Sequence, residues 1–456
     1  MQKHIFLVAT VAAAFLFAVF NSNCTPKISE PKPQPGTCNF SKTIAVGGDF
    51  MAGYQDGALS FGGQLRSIPL LLAGEFGQVT PGTFDQPYLP ASSAGLGWNL
   101  KPWESWYTTA SKLKFKTDCQ GVSSLMPVWD SVSRADAAAE INAAYSASNR
   151  NFAVPFATTA GLFSPALGSF SAAQNTNPFY HRFASNPGIS TVMGDAANAN
   201  ATFFSAWLGM EDIYNYAQLG GAGTSIPSPS QFSMYLDSAL GMLTRNGAKG
   251  VIANIPDFRD FPYYTLVPWN GAALTQTKAD SLNTIYQQAG FTNINFVNGN
   301  NGFVIADAHA PNGYRQMHAN EYITLSVPVD SLKCDYLGIL FSPMPDRYSL
   351  DSAEVATLDN AIAAYNSVIA QKAAQYGLAL ADMHAYFARV NSGVKWDGVD
   401  FNAEFVTGGF FSLDGYHPNQ KGYAMIANEF IAAINAKFGA TVPTVDCTDC
   451  NGVLFP

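Results

Sequence analysis

The strongest constraint on this chain is an alternation of short apolar runs with amphipathic stretches, sustained from residue 44 to residue 438. IAVGG (44–48), FAVP (152–155), ATFFSAWLG (201–209), GVIANIP (250–256) and LALA (378–381) are apolar without an alternating polar face, as strands buried on both sides are. Between them lie helical patterns. In 230–247, Phe232, Leu236, Leu240 and Leu243 recur at spacings of three and four, and Asn246-Gly247 ends the pattern. Asp351 and Glu354 have capping-box spacing, Val355, Leu358, Ile362, Tyr365 and Ile369 share one face behind them, and Gly377 closes the helix. The last helix, over 419–438, carries Tyr423, Ile426, Phe430, Ile434 and Phe438 in its stripe, with Gly439 after it. Further helices are predicted near 61–77, 133–146 and 275–289, and weaker strands at INFV, FVIA and YITLSV between 294 and 327. Strands alternating with helices predict an α/β fold: a doubly wound, mostly parallel sheet between two helical layers. In such sheets ligands bind beyond the carboxyl ends of the strands, here near Gly48, Gly209 and Asp382.

The ends of the chain have a different character. Lys3 and His4 precede an apolar run over 5–20, which reads as a secretory signal, and Cys24 follows it. Pro26, Pro31, Pro33 and Pro35 make the next stretch an extended spacer. The expected organisation is a signal peptide at 1–23 and a lipid-anchor cysteine with flexible tether at 24–41. One domain at 42–440, with insertions at about 78–145 and 257–345, precedes a polar tail at 441–456. Lipidation of Cys24 predicts a cell-envelope protein in contact with a membrane through its anchor. Of the six cysteines, Cys447 and Cys450 are spaced for a small local disulfide; the pairing of the others is open. No second CxxC or nearby histidine accompanies that pair, so no structural metal is expected there. A formal net charge of −9 and the lack of a basic patch argue against nucleic acid as a partner.

Two segments, VGGDFMAGYQDGALSFGGQ (46–64) and FVTGGFFSLDGYHPNQKGYAMIANEF (405–430), resemble the GDSL/SGNH hydrolases, especially their large exported members. Asp414-x-x-His417 followed by Pro418, Asn419 and Gly422 is the most specific piece. The resemblance implies a three-layer α/β/α sandwich over 42–440 and ester hydrolysis by a serine in a Gly-Asp-Ser-Leu block, with His417 as base and Asp414 as its orienting acid. Laid on that block, Gly48-Asp49-Phe50-Met51 puts Phe50 at the nucleophile position, and a phenyl ring cannot attack a carbonyl. The oxyanion positions fall on Ala153, in place of a glycine, and Glu211, in place of the asparagine of a Gly-x-Asn-Asp block. Ala153 keeps its backbone N–H, whereas an ionised Glu211 has no donor. Gly48, Asp49, Gly209 and Asp212 are expected beside the pocket, Asp49 chiefly as an anchor of the first turn.

These departures predict an exported hydrolase-fold protein without serine catalysis, acting as a binding or scaffold domain, with a small-molecule, glycan or lipid ester as the conceivable ligand and no cofactor. Two alternatives stay open. One is an active carboxylic-ester hydrolase with a displaced nucleophile, although Ser60 and Ser67 do not sit at the strand-to-helix turn. The other is a water-using hydrolase in which Asp49, Glu211, Asp414 and His417 form a carboxylate-rich pocket. His181, His309, His318 and His384 read as ordinary surface or core histidines, and Trp98, Trp103 and Trp106 as packing or a groove lining.

Overall fold

The computed structural model describes residues 32–98, 107–141, 146–171 and 176–456. The signal segment, Cys24, Trp103 and Trp106 lie outside the described residues. The chain divides into Met1–Pro33 and Gln34–Pro456, and every element below belongs to the second part.

Five strands form the central sheet: β1 (Thr43–Gly47), β2 (Asn151–Ala153), β3 (Phe203–Trp207), β4 (Lys249–Ala253) and β5 (Ala379–Ala381). Their order is β5-β4-β3-β1-β2, and every neighbouring pair is parallel. The five apolar runs at 44–48, 152–155, 201–209, 250–256 and 378–381 land in this sheet, buried between the helical layers: all of β1 and β3 is buried. Helices α1 (Ile68–Val79), α2 (Met210–Ala217), α3 (Pro229–Thr244), α4 (Ser352–Gln375), α5 (Met383–Ser392) and α6 (Gln420–Phe438) flank it. α1 packs against α6, and α3 against α4. The buried residues of α4 include Val355, Leu358, Ile362, Tyr365 and Ile369, and those of α6 include Tyr423, Ile426, Phe430, Ile434 and Phe438. The predicted 61–77 helix is two pieces, a single turn at Phe61–Gln64 and then α1. Pro69 in the first turn of α1 marks where the second begins.

The sheet is the α/β/α sandwich expected from the alternation. β1 lies between β3 and β2: the chain runs from β1 out to the edge strand β2 and then back past β1 to β3, so the strand order reverses at β1. That switch point opens a crevice at the carboxyl ends of β1, β2 and β3.

Several segments differ from expectation. INFV is not a strand; the ribbon nearby pairs Gly299–Asn301 with Ala272–Leu274. Residues 257–345 contribute a second apolar cluster, containing Leu282, Tyr286, Phe296, Val304 and Ile323, beside the main core. The tether is shorter than the sequence suggests: Gln34 and Thr441 bond reciprocally, the Thr37 N–H donates to Phe438 O, and Phe40 stacks on Phe76. The tail is not merely polar, since Val442, Val445, Cys447 and Cys450 are buried and Asn428 on α6 bonds both the N–H and the carbonyl of Val445. Cys447 and Cys450 are free thiols, and among the described residues a disulfide joins Cys119 to Cys334. It staples the hairpin Lys112–Thr117/Ser123–Val128 to the helix Val329–Cys334, tying together the two stretches read as insertions. Among the described residues no helix is long and apolar enough to cross a membrane.

Candidate active site

The turn after β1 brings Asp49 into the crevice, and the loop before α6 brings Asp414 and His417 to meet it. His417 Nδ1 lies 2.9 Å from Asp414 Oδ2, and Nε2 lies 3.1 Å from Asp49 Oδ2. Two carboxylate acceptors on the two nitrogens suit an imidazolium, which donates from both. Burial disfavours that charge, but Asp414 and Asp49 outweigh it and push the His417 pKa up to about 9. Three rings enclose the cation, with centroids 4.9 Å (Tyr54), 5.4 Å (Phe50) and 4.8 Å (Tyr416) from the imidazole.

Asp414 has a complete set of donors. Its Oδ1 accepts from the Tyr416 and His417 N–H groups, and its Oδ2 from Gly57 N–H and His417. Burial works against its charge, yet the imidazolium and these donors hold its pKa below the ordinary carboxylate value. The loop after β1 is welded to the same segment. Asp56 N–H donates to Ser412 Oγ, Leu413 N–H donates to Asp56 Oδ1, and the Tyr423 hydroxyl donates to Tyr54 O. Burial pushes the Asp56 pKa up to about 6.

Position 50 does not face the reactive nitrogen of His417, and the assignment of Phe50 to the nucleophile position is corrected by the geometry. The group within hydrogen-bond reach of Nε2 is the carboxylate of Asp49, one residue earlier. Phe50 is a core residue, packed against Trp207, Phe261, Phe387 and Tyr423 as well as His417. The reason is local. The chain turns straight from β1 into the short helix Asp49–Ala52, and successive side chains on that turn point in different directions. Asp49 is therefore more than a turn anchor.

The oxyanion positions are also changed. Ala153 N–H donates to Asn151 Oδ1 at 3.1 Å and is already engaged. The amide that meets the centre is that of Phe156, which donates to Asp49 Oδ1 at 2.6 Å from a left-handed conformation (φ +62°). Glu211, at the start of α2, accepts the Asp49 N–H on Oε1 at 3.1 Å, so it reaches the backbone beside the histidine and not the imidazole. Burial, and then the charge of Asp49, raise the Glu211 pKa well above its ordinary value, which favours the neutral acid. Gly48 makes room for it: a Cβ there would lie 1.5 Å from Glu211 Oε1. Asp212 turns to the loop after β2, where its Oδ2 accepts from Thr159 N–H and Oγ1–H at 2.8 and 2.6 Å. Gly209 caps α2 in a left-handed conformation against the ring of Phe232.

The remaining candidates lie elsewhere. Ser60 caps the turn at Phe61–Gln64, and Ser67 donates to Gln86. His181 and His384 bond backbone carbonyls through Nδ1, and Trp98 packs on Phe156. Tyr54 and Asp56 lie in the 46–64 segment but are not singled out by it, and Phe156 acts through a main-chain N–H, which matches no motif.

A parallel sheet with a histidine–carboxylate pair at its switch point is the arrangement of SGNH/GDSL-type α/β/α sandwiches. The chain belongs to the GDSL-like lipase/acylhydrolase family, whose model matches residues 129–430. No curated protein matches the sequence. Among solved structures it is similar to LAE5, an alpha/beta hydrolase enzyme from the metagenome of Lake Arreo, Spain, at 11% identity and a TM-score of 0.35, over 88% of this chain and 97% of that one.

Proposed function

We propose that this chain is an exported GDSL-family domain whose hydrolase centre has become a structural ion cluster, and that it works as a binding or scaffold domain of the cell envelope. The observation that carries this reading is the carboxylate of Asp49 on His417 Nε2, where serine catalysis needs a hydroxyl. It aligns Gly47-Gly48-Asp49-Phe50 with the family's Gly-Asp-Ser-Leu block, one residue from the alignment suggested by the sequence. Each catalytic requirement fails for a physical reason. An imidazolium cannot take a proton from a nucleophile. The N–H groups of Asp49 and Ala153 are occupied by Glu211 and Asn151, leaving the developing oxyanion without them. Asp49 and His417 are 3% and 4% exposed, so a substrate has little access. Export rests on the apolar run at 5–20 and Cys24, with a lipid on Cys24 as the membrane contact; intact-mass analysis of membrane-fraction protein tests the anchor. The ligand class favoured by the family is a small-molecule, glycan or lipid ester; nucleic acid is disfavoured by the acidic charge.

The test is turnover of short- and medium-chain aryl esters. Wild type is expected at least roughly 10³-fold below a comparable serine enzyme, about 4 kcal/mol in barrier. Asp49→Ser alone should recover little. Asp49→Ser with Glu211→Asn should recover more than the two single changes together, because groups that act as a unit are non-additive. Robust wild-type turnover that collapses in His417→Gln overturns the reading and makes the protein an active esterase.

A further inference from the structure

The asparagine-dense run FTNINFVNGNNG (291–302) belongs to no part of the hydrolase centre. In the fold it borders a pocket of about 560 Å3 in the 257–345 region. Asn293, Asn295, Asn300, Gln316, His309 and His318 line that pocket, so its polar surface is mostly amide and imidazole.

The full charges at its wall are paired within the protein, one cation against two carboxylates. Arg315 donates from Nε to Asp307 Oδ2 at 2.6 Å and from Nη1 and Nη2 to Glu321 at 2.8 Å each. Its guanidinium is therefore committed to two carboxylates and is a poor receptor for an anion. No lysine and no phenylalanine, tyrosine or tryptophan ring lines the pocket among the described residues, which disfavours phosphate chains and stacked bases.

The frame is rigid where it needs to be. Asn301 is buried; its Oδ1 accepts Val297 N–H, and its amide donates to the carbonyls of Ala272, Val297 and Gly299. Asn293 donates to Tyr314 O, and Asn295 N–H donates to Gln316 Oε1. The loop is thus fixed by its own hydrogen bonds, while Asn295 and Asn300 stay exposed at the rim. A carboxamide carries a donor and an acceptor side by side, which matches the paired hydroxyls of a sugar ring. The volume lies in the range of small-ligand sites and suits two or three sugar units.

We propose that this pocket, separate from the Asp49–His417 centre, binds a neutral oligosaccharide. The test is a glycan microarray carrying neutral oligosaccharides of two to four units beside uronic and sulfated ones, followed by calorimetry on the best neutral binder. The full chain is expected to bind a neutral oligosaccharide saturably and to prefer it to acidic ones. Asn295→Ala with Asn300→Ala should weaken binding at least about tenfold, the loss of two or so net hydrogen bonds. His309→Ala removes a side chain that is 97% exposed, so its fold is secure, and it should weaken the same binding severalfold. Absence of neutral-glycan binding, preference for acidic glycans, or unchanged affinity in His309→Ala and the folded double variant would overturn the proposal. The readout is binding itself, so the result does not depend on ester turnover.

Discussion

At the switch point of the sheet, an imidazolium sits between two carboxylates inside an aromatic enclosure. In the 257–345 region, an arginine is likewise held between two carboxylates, but neutral amides beside it are left facing solvent. Both regions hold one cation between two carboxylates, which leaves a net negative charge in each. The first has no polar capacity left over: Asp414 and His417 have partners on every polar side-chain atom, and Asp49 accepts on both oxygens. The second keeps donors and acceptors at a rim. A polar cluster that is buried and fully satisfied specifies a fold, whereas one that is exposed and incompletely satisfied is available to a ligand.

The contrast can be broken most directly at His417. His417→Ala leaves Asp49 and Asp414 facing an empty site, and breaking a buried ion pair on one side costs about 3–5 kcal/mol. Urea unfolding at pH 7 measures it. A loss below about 1 kcal/mol would mean that the cluster does not hold the fold together, and the comparison with the open pocket would fail.

A smaller effect is expected in the other region. Removing the Cys119–Cys334 bridge by Cys119→Ser with Cys334→Ser should cost about 2–4 kcal/mol. Hydrogen exchange should quicken in Lys112–Thr117 and Val329–Cys334, with the amides of Asp49 and His417 unchanged. Equal loss of protection at the centre would show that the two regions unfold as one.

The pH dependence is the finest discriminator. Because the folded His417 pKa is raised to about 9, its stabilising contribution is complete below the ordinary value of roughly 6.5 and is lost as pH rises through about 9. The raised Glu211 pKa has the same sign, its contribution fading as pH climbs above the ordinary glutamate value. Asp414 has the opposite sign: its depressed pKa stabilises above the ordinary aspartate value and fails in acid. Thermal melting should therefore show a lower Tm at pH 9.5 than at pH 6.5, with Glu211→Gln flattening part of that slope. A Tm that is level across this range would remove the charged-histidine assignment.

The elements and the layers were legible in the residue pattern alone. Strand-length apolar runs and three–four spacings express how backbone geometry distributes side chains over neighbouring residues, so β1 to β5, α3, α4 and α6 were legible without any contact. Asp414 and His417 were legible too, because four consecutive residues of one loop carry them both. What lay beyond reach was every choice made across long chain separations. Whether residue 49 or residue 50 meets a histidine almost 370 positions later depends on how one turn leaves β1, and a one-residue shift exchanges a carboxylate for a ring. The Phe156 N–H on Asp49, the Cys119–Cys334 pairing, the docking of Gln34 on Thr441 and the burial of the tail against α6 are of the same kind. Each joins groups that no local pattern relates, and only packing the elements around a common core brings them within hydrogen-bond or bonding distance.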